Sequence, residues 1–204
     1  MKLFYSPGAC SLAPMIVAEW LGIKLGLQKV DLQNLDESFL RNNPMGAVPV
    51  LQMNDGEYKN QVDAILQYFC ALNPEGKLVG EDIFEWFELD RWIAFLTGDF
   101  HPAFAPWFKP LRFTTARDDA SIAAVRTAAV NHINKVAAVL EDKIGPTHHI
   151  VLNRRTMVDA YAFSMVRWME YMGGGLDSYP NIRRFIDYMK ADLGVQQALK
   201  KESA

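Results

Sequence analysis

The sequence predicts a small α/β domain followed by a larger all-α domain. Three observations carry this. Through the first 74 residues, short extended apolar runs alternate with stretches of helical spacing, and turn residues separate them. Asn73-Pro74-Glu75-Gly76-Lys77 is a polar, Pro/Gly-containing break. Beyond it every periodic segment is helical. The boundaries that follow are 1–74, a linker at 75–81, and 82–204.

Lys2-Leu3-Phe4-Tyr5 is apolar and aromatic, as a buried strand is. Ser6-Pro7-Gly8-Ala9 is turn chemistry. Ser11 to Leu21 carries Leu12, Ile16 and Trp20 at helical spacing, with Met15 between. Leu25 to Leu32 is a second strand, and the polar stretch Gln33 to Asn43 holds one short helix. Gly46 to Met53 runs into Asn54-Asp55-Gly56, a hairpin signal, with Glu57 to Lys59 as the partner strand. Val62 to Cys70 returns to helical spacing through Val62, Ile65, Leu66 and Phe69. The order βαβαββα implies a mixed four-stranded sheet with helices packed on it, a thioredoxin-like arrangement.

In the second domain, Phe84 to Phe100 sets Trp86, Leu89, Trp92, Ile93 and Leu96 on one broad face. His101-Pro102 and Lys109-Pro110 bend or interrupt it. Helices follow at Ala116–Lys143, Thr156–Met169, Tyr179–Lys190 and Val195–Lys201. Thr156-Met157-Val158-Asp159 reads as a capping box with Asp in place of Glu or Gln.

Composition narrows the function classes. The chain has 204 residues, half of them hydrophobic, with net charge −3. No basic stripe with interleaved aromatics offers a nucleic-acid surface. No run approaches the roughly 20 apolar residues of a membrane span, and the N-terminus lacks a signal-peptide pattern. Cys10 and Cys70 form neither a disulfide framework nor a metal motif, so the expected setting is the reducing cytoplasm, with no metal. Cys70 falls on an apolar helix face and reads as core. His148-His149 reads as a solvated loop, and Lys200-Lys201-Glu202 as a solvated tail.

Cys10 falls where the first strand gives way to the first helix. Free N–H groups and the positive end of the helix dipole favour thiolate there, so Cys10 is expected to titrate below a free cysteine. The other reading is a small residue filling space at a helix start.

SPGACSLAP, NPMGAVPVLQMNDG and TMVDAYAF together resemble the cytosolic glutathione transferase family, and SPGACS resembles its bacterial beta-type branch. The resemblance spans nearly the whole chain. It implies the glutathione transferase fold: a thioredoxin-like domain that binds glutathione, then an all-α domain with a hydrophobic substrate site. Cys10 matches the family's active-site cysteine, Ser11 its neighbour, and Tyr5 an aromatic of the first strand. Val48-Pro49 matches a cis-proline turn whose Val48 N–H and C=O dock the glutathione peptide. His101 matches a histidine aimed at the sulfur. Gln61, Val62 and Asp63 stand where the γ-glutamyl end is held, and Phe104, Trp107, Phe108 and Trp168 would surround an apolar electrophile.

Several positions depart from the family pattern. Gln61-Val62 replaces Glu (or Gln) followed by Ser (or Gly), Pro102 replaces a lysine, and Ala94 replaces an asparagine that reaches the partner subunit. Gln33 to Asn43 lacks the branch's lysine. Glutathione is therefore expected to bind weakly, at roughly hundreds of micromolar to millimolar. The function implied is conjugation of glutathione to hydrophobic electrophiles in detoxification, thiol–disulfide exchange through Cys10, or both. The alternative is a protein of the same fold that binds or regulates with little turnover. The long aromatic helices, with Trp86, Phe87, Trp92 and Phe95, need cover, and the resemblance implies a two-fold homodimer.

Overall fold

The structure, a computed structural model, describes residues 1–172 and 175–204. Its first part contains β1 (Lys2–Tyr5), α1 (Leu12–Leu21), β2 (Gly26–Lys29), α2 (Glu37–Asn42), β3 (Val50–Gln52), β4 (Tyr58–Asn60) and α3 (Val62–Leu72). The four strands form one mixed sheet in the order β2-β1-β3-β4. β1 pairs parallel with β2, Lys2 opposite Gly26, and antiparallel with β3, Phe4 opposite Val50. β3 and β4 are the hairpin, Leu51 opposite Lys59.

Alternation along β1 decides what lies on each face of the sheet. Leu3 and Tyr5 enter the main core, while Phe4 packs on Phe39 and Tyr58 at ring separations of 5.7 and 5.8 Å. β2 is shorter than its apolar pattern suggests, because it is an exposed edge strand; Val30 and Leu32, beyond its end, pack on the smaller cluster around Phe39. The Asp36 carboxylate starts α2 by accepting from Phe39 N–H at 2.7 Å.

α1 is buried continuously from Leu12 to Ala18 because it lies between the sheet and the helical half. It packs on α3 and also on two later helices, α8 (Met157–Val166) and α10 (Leu193–Glu202). The β1–α1 loop is thereby fixed against the second half of the chain.

The helical half begins with α4 (Ile83–Phe95), capped by the Asp82 carboxylate, which accepts from Phe84 and Glu85 N–H at 2.8 and 2.9 Å. The Arg154 guanidinium ties the preceding connection down, donating to the Val79 carbonyl at 3.0 Å and pairing with Glu85 at 2.7 Å. Pro102 cannot donate an N–H, and its ring crowds the preceding turn of an α-helix. The chain answers with a single π turn over Leu96–Phe100 and restarts as α5 (His101–Ala103), with Pro102 in its first turn. α6 (Ala105–Phe108), α7 (Asp119–Ile144), α8, a 3₁₀ turn (Arg167–Tyr171), α9 (Pro180–Ala191) and α10 complete the chain.

α8 is buried on every side, and its capping box forms. The buried Asp159 carboxylate accepts from Thr156 N–H at 2.8 Å and from Ile150 N–H at 2.9 Å. His149 Nδ1 lies 3.3 Å from the same carboxylate, and both His148 and His149 pack against the Tyr188 ring. The solvated reading holds for His148, which is exposed, and is corrected for His149: a buried carboxylate needs donors, and His149 with the Ile150 N–H supplies them. Cys70 is core as read, with burial pushing its thiol up to about 12.

Candidate active site

The site is built around the loop from β1 to α1. Ser11 is fully buried; its hydroxyl accepts from Ser6 N–H at 3.2 Å and donates to the Ser6 carbonyl at 3.3 Å. It closes the turn on itself and does not face the cleft. The second half of the chain grips the loop from outside. Trp168 Nε1 donates to the Gly8 carbonyl at 2.7 Å, and Arg167 donates to the Ala9 carbonyl at 3.3 Å. Arg167 also makes a two-pronged pair with Glu202, at 2.8 and 2.9 Å. Glu202 in turn accepts from Gly8 N–H at 3.0 Å. The reading of Glu202 as part of a solvated tail is corrected: it is 4 % exposed because α10 folds back over α1. Tyr5 turns the same way, its hydroxyl 3.5 Å from the Lys201 carbonyl and outside the cleft.

Cys10 ends the loop. Its thiol is 6 % exposed and lies 3.5 Å from the Val48 carbonyl, to which it donates. The Cys10 N–H and the charge of Arg167 pull its pKa down, as a helix start should. Burial acts the other way and is larger, pushing the thiol up to about 12. The expectation of a lowered pKa is thus overturned: the helix-start effect is present, but the thiolate would lose its water.

Val48-Pro49 is a cis peptide. Among the described residues Val48 N–H has no main-chain partner, and its carbonyl takes only the Cys10 thiol. The turn before it depends on Gly46, at φ +58°, where a Cβ would fall 2.6 Å from Leu35 Cδ1.

His101 opens α5 just beyond the π turn. Its Nδ1 lies 2.9 Å from the Tyr161 hydroxyl on α8. Burial pulls its pKa down to about 4, so the ring is neutral at physiological pH. Its ring centre is 5.3 Å from that of Trp168. Phe104 is buried edge-on beneath Trp168 at 5.1 Å, and half-exposed Phe108 meets the same indole edge-on at 5.3 Å. Such edge contacts give apolar walls of fixed shape.

These residues define two adjoining cavities. One, of about 550 Å³, is lined by the loop 6–10, Asp31 to Gln33, Gly46 to Val48, His101, Phe108, Lys109 and Trp168. The other, of about 350 Å³, is walled by His101, Phe104, Phe108 and Trp168, with Lys109 and Arg112 at its rim. Cys10, Val48, His101, Phe108 and Trp168 are thus brought together, with Phe104 next to them. The remaining expected residues lie elsewhere. Trp107 is outside both linings and packs against Arg126, whose guanidinium is 5.8 Å from its ring. Gln61 sits at φ +73° before α3, exposed; Val62 is packed in the core at 6 % exposure; Asp63 is half-buried, and none of the three lines the cleft. Several site residues escaped the sequence reading: Asp31, Leu32, Gln33, Lys109 and Arg112 among those lining the cavities, and Tyr161 behind His101. Lys109 read only as part of a helix break, and nothing local marks Tyr161, whose partner is 60 positions away.

A cysteine at the end of the first strand–helix loop, a cis-proline turn facing it and a helical half supplying aromatic walls define a glutathione-transferase type of protein. Residues 13–77 match the glutathione S-transferase N-terminal domain and residues 100–191 the glutathione S-transferase C-terminal domain. The chain belongs to the glutathione S-transferase family. It is 33% identical to glutathione S-transferase GST-4.5 of Xanthomonas campestris pv. campestris, over 99% of this chain and 98% of that one. A solved sphingomonad glutathione S-transferase in complex with glutathione superposes with a TM-score of 0.86 at 32% identity, covering 100% of this chain and 99% of that one. The bacterial beta-class enzyme of Sphingomonas chungbukensis does so with the same TM-score and identity, over 99% and 98%.

Proposed function

We infer that the chain is a glutathione transferase that joins glutathione to apolar electrophiles. The observation that carries this is the 550 Å³ cleft in which the Cys10 thiol, the unpartnered Val48 amide and the His101 ring converge beside an aromatic cavity. The peptide part of glutathione pairs with the Val48 main chain as a short added strand. Its sulfur lies toward Cys10 and His101. Lys109 brings a cation to the wall, supporting a ligand with two carboxylates where the family's lysines are missing. The γ-glutamyl end extends beyond the cleft lining toward the start of α3, where exposed Gln61 and the first N–H groups offer donors without the usual hydroxyl.

The thiol of bound glutathione loses its proton to solvent. The thiolate sulfur then attacks the electrophilic carbon held between Phe104, Phe108 and Trp168. A carbon–sulfur bond forms, and the leaving group departs with its electron pair. Cys10 is protonated in this reading; its S–H stays with the Val48 carbonyl, and its N–H is the donor it offers near the sulfur. Burial of that thiol favours conjugation over thiol–disulfide exchange.

The working protein is a homodimer. Ile83, Phe84 and Phe87 are 75, 79 and 66% exposed on one stretch of α4, more contiguous apolar surface than a monomer needs to leave open. Use of reduced glutathione, together with free Cys10 and Cys70, supports a role in removing reactive electrophiles in a reducing, cytoplasmic setting. The test is a conjugation assay with an activated chloronitrobenzene and glutathione. Product formation above the uncatalysed rate, lost on replacing His101 and Trp168 together, supports the reading. A rate no higher than that of buffer defeats it.

A further inference from the structure

His101 and Tyr161 meet inside the protein at a geometry that decides which ring nitrogen of His101 carries the proton. His101 Nδ1 and the Tyr161 hydroxyl oxygen are 2.9 Å apart, and the rings stand at 77°. Tyr161 is 1 % exposed, and His101 is the only partner of its hydroxyl among the described residues. One proton occupies this hydrogen bond, so two arrangements compete. In one, Nδ1–H donates to the phenol oxygen; the phenolic proton is then buried with no acceptor, which is costly. In the other, the phenol donates to a bare Nδ1 and every proton is used. The second arrangement prevails. A neutral ring with a bare Nδ1 carries its proton on Nε2. Among the described residues His101 Nε2 has no partner, and it is not sealed from the cavities that the ring lines.

We propose that Tyr161 is a positioning residue that holds His101 as the Nε2–H tautomer, so that His101 presents a hydrogen-bond donor, and not a base, to the sulfur of glutathione. This rests on reading the cleft as the glutathione site. The thiol proton leaves to water in the open cleft, and the sulfur anion accepts from Nε2–H. A base at this position would need a bare Nε2, which Tyr161 denies. Burial keeps both partners in the required state. It lowers the pKa of His101 and raises that of Tyr161, with smaller contributions from Cys10 once ionised and from Asp63. The donor is preorganised, since the Tyr161 ring is locked in α8 beneath α1.

The test starts with the free protein, so that it does not depend on glutathione. Nitrogen NMR of the full chain, with ring-labelled histidine and assignment by His101→Gln, reports the tautomer from the two ring-nitrogen shifts. The expected result at pH 7 is an Nε2–H ring at His101 that becomes a mixture of tautomers in Tyr161→Phe. An Nδ1–H ring in the parent chain, or a ring unchanged in the variant, overturns the proposal. With glutathione and a chloronitrobenzene, Tyr161→Phe should lower kcat/KM roughly three- to tenfold at pH 6.5. The loss should shrink above about pH 9, where the thiol ionises unaided. The same loss at every pH would mark Tyr161 as structural only and overturn the proposal. Absence of turnover in the parent would defeat the functional reading, while the NMR result would still stand or fall by itself.

Discussion

The Arg167 guanidinium holds the Glu202 carboxylate by two hydrogen bonds, and that carboxylate also receives the Gly8 amide of the active-site loop. The side chains are only 12% and 6% exposed, so removing one strands the other. Glu202→Ala should cost about 3 kcal/mol in urea unfolding. Changing both, Arg167→Met with Glu202→Leu, should recover most of it. A single-variant loss below about 1 kcal/mol would show the pair to be ordinary surface chemistry.

Cys10 should react slowly. With its thiol pushed up to about 12 by burial, alkylation by iodoacetamide should still be accelerating above pH 9. The same shift makes stability fall as pH rises from about 8.5, where an unfolded thiol ionises, toward the folded value. A rate plateau below pH 8 would mean that the helix-start effect wins after all.

His101 gives the fold an acid dependence of defined sign. Its folded pKa, about 4, lies below the unfolded 6.5, so the unfolded chain binds the extra proton first. The stability contributed by neutral His101 is complete above pH 6.5 and is lost as pH falls toward 4, at most about 3 kcal/mol. His101→Leu should flatten the curve of unfolding free energy against pH in this window. An equal slope in both proteins would contradict the assignment.

Light scattering at micromolar concentration should return about 46 kDa, twice the 23.1 kDa chain. Phe84→Glu with Phe87→Glu should lower it to the monomer value. A parent mass near that of one chain rules out the dimer.

Local chemistry made much of the fold legible. The β1–α1 turn, the Asp-Gly hairpin and the Thr156–Asp159 box each lie within a few consecutive residues, and each formed. What the sequence hid was long-range. Glu202 looked solvated because Arg167 is 35 positions away, and Tyr161 looked like core because its hydroxyl partner is on another helix. Cys10 shows the limit most clearly. Its helix-start position was visible, but the burial that outweighs it comes from segments brought together only by folding. Val62 likewise matched a ligand position, yet its side chain is packed in the core.

The proposed function requires that glutathione occupy the cleft beside Cys10, Val48 and His101. Calorimetric titration of glutathione into the protein, repeated with S-hexylglutathione as competitor, tests it most directly. One saturable site per chain is expected, with Kd from hundreds of micromolar to a few millimolar, displaced by the competitor. No saturable heat up to about 20 mM, or binding that S-hexylglutathione leaves untouched, would contradict it.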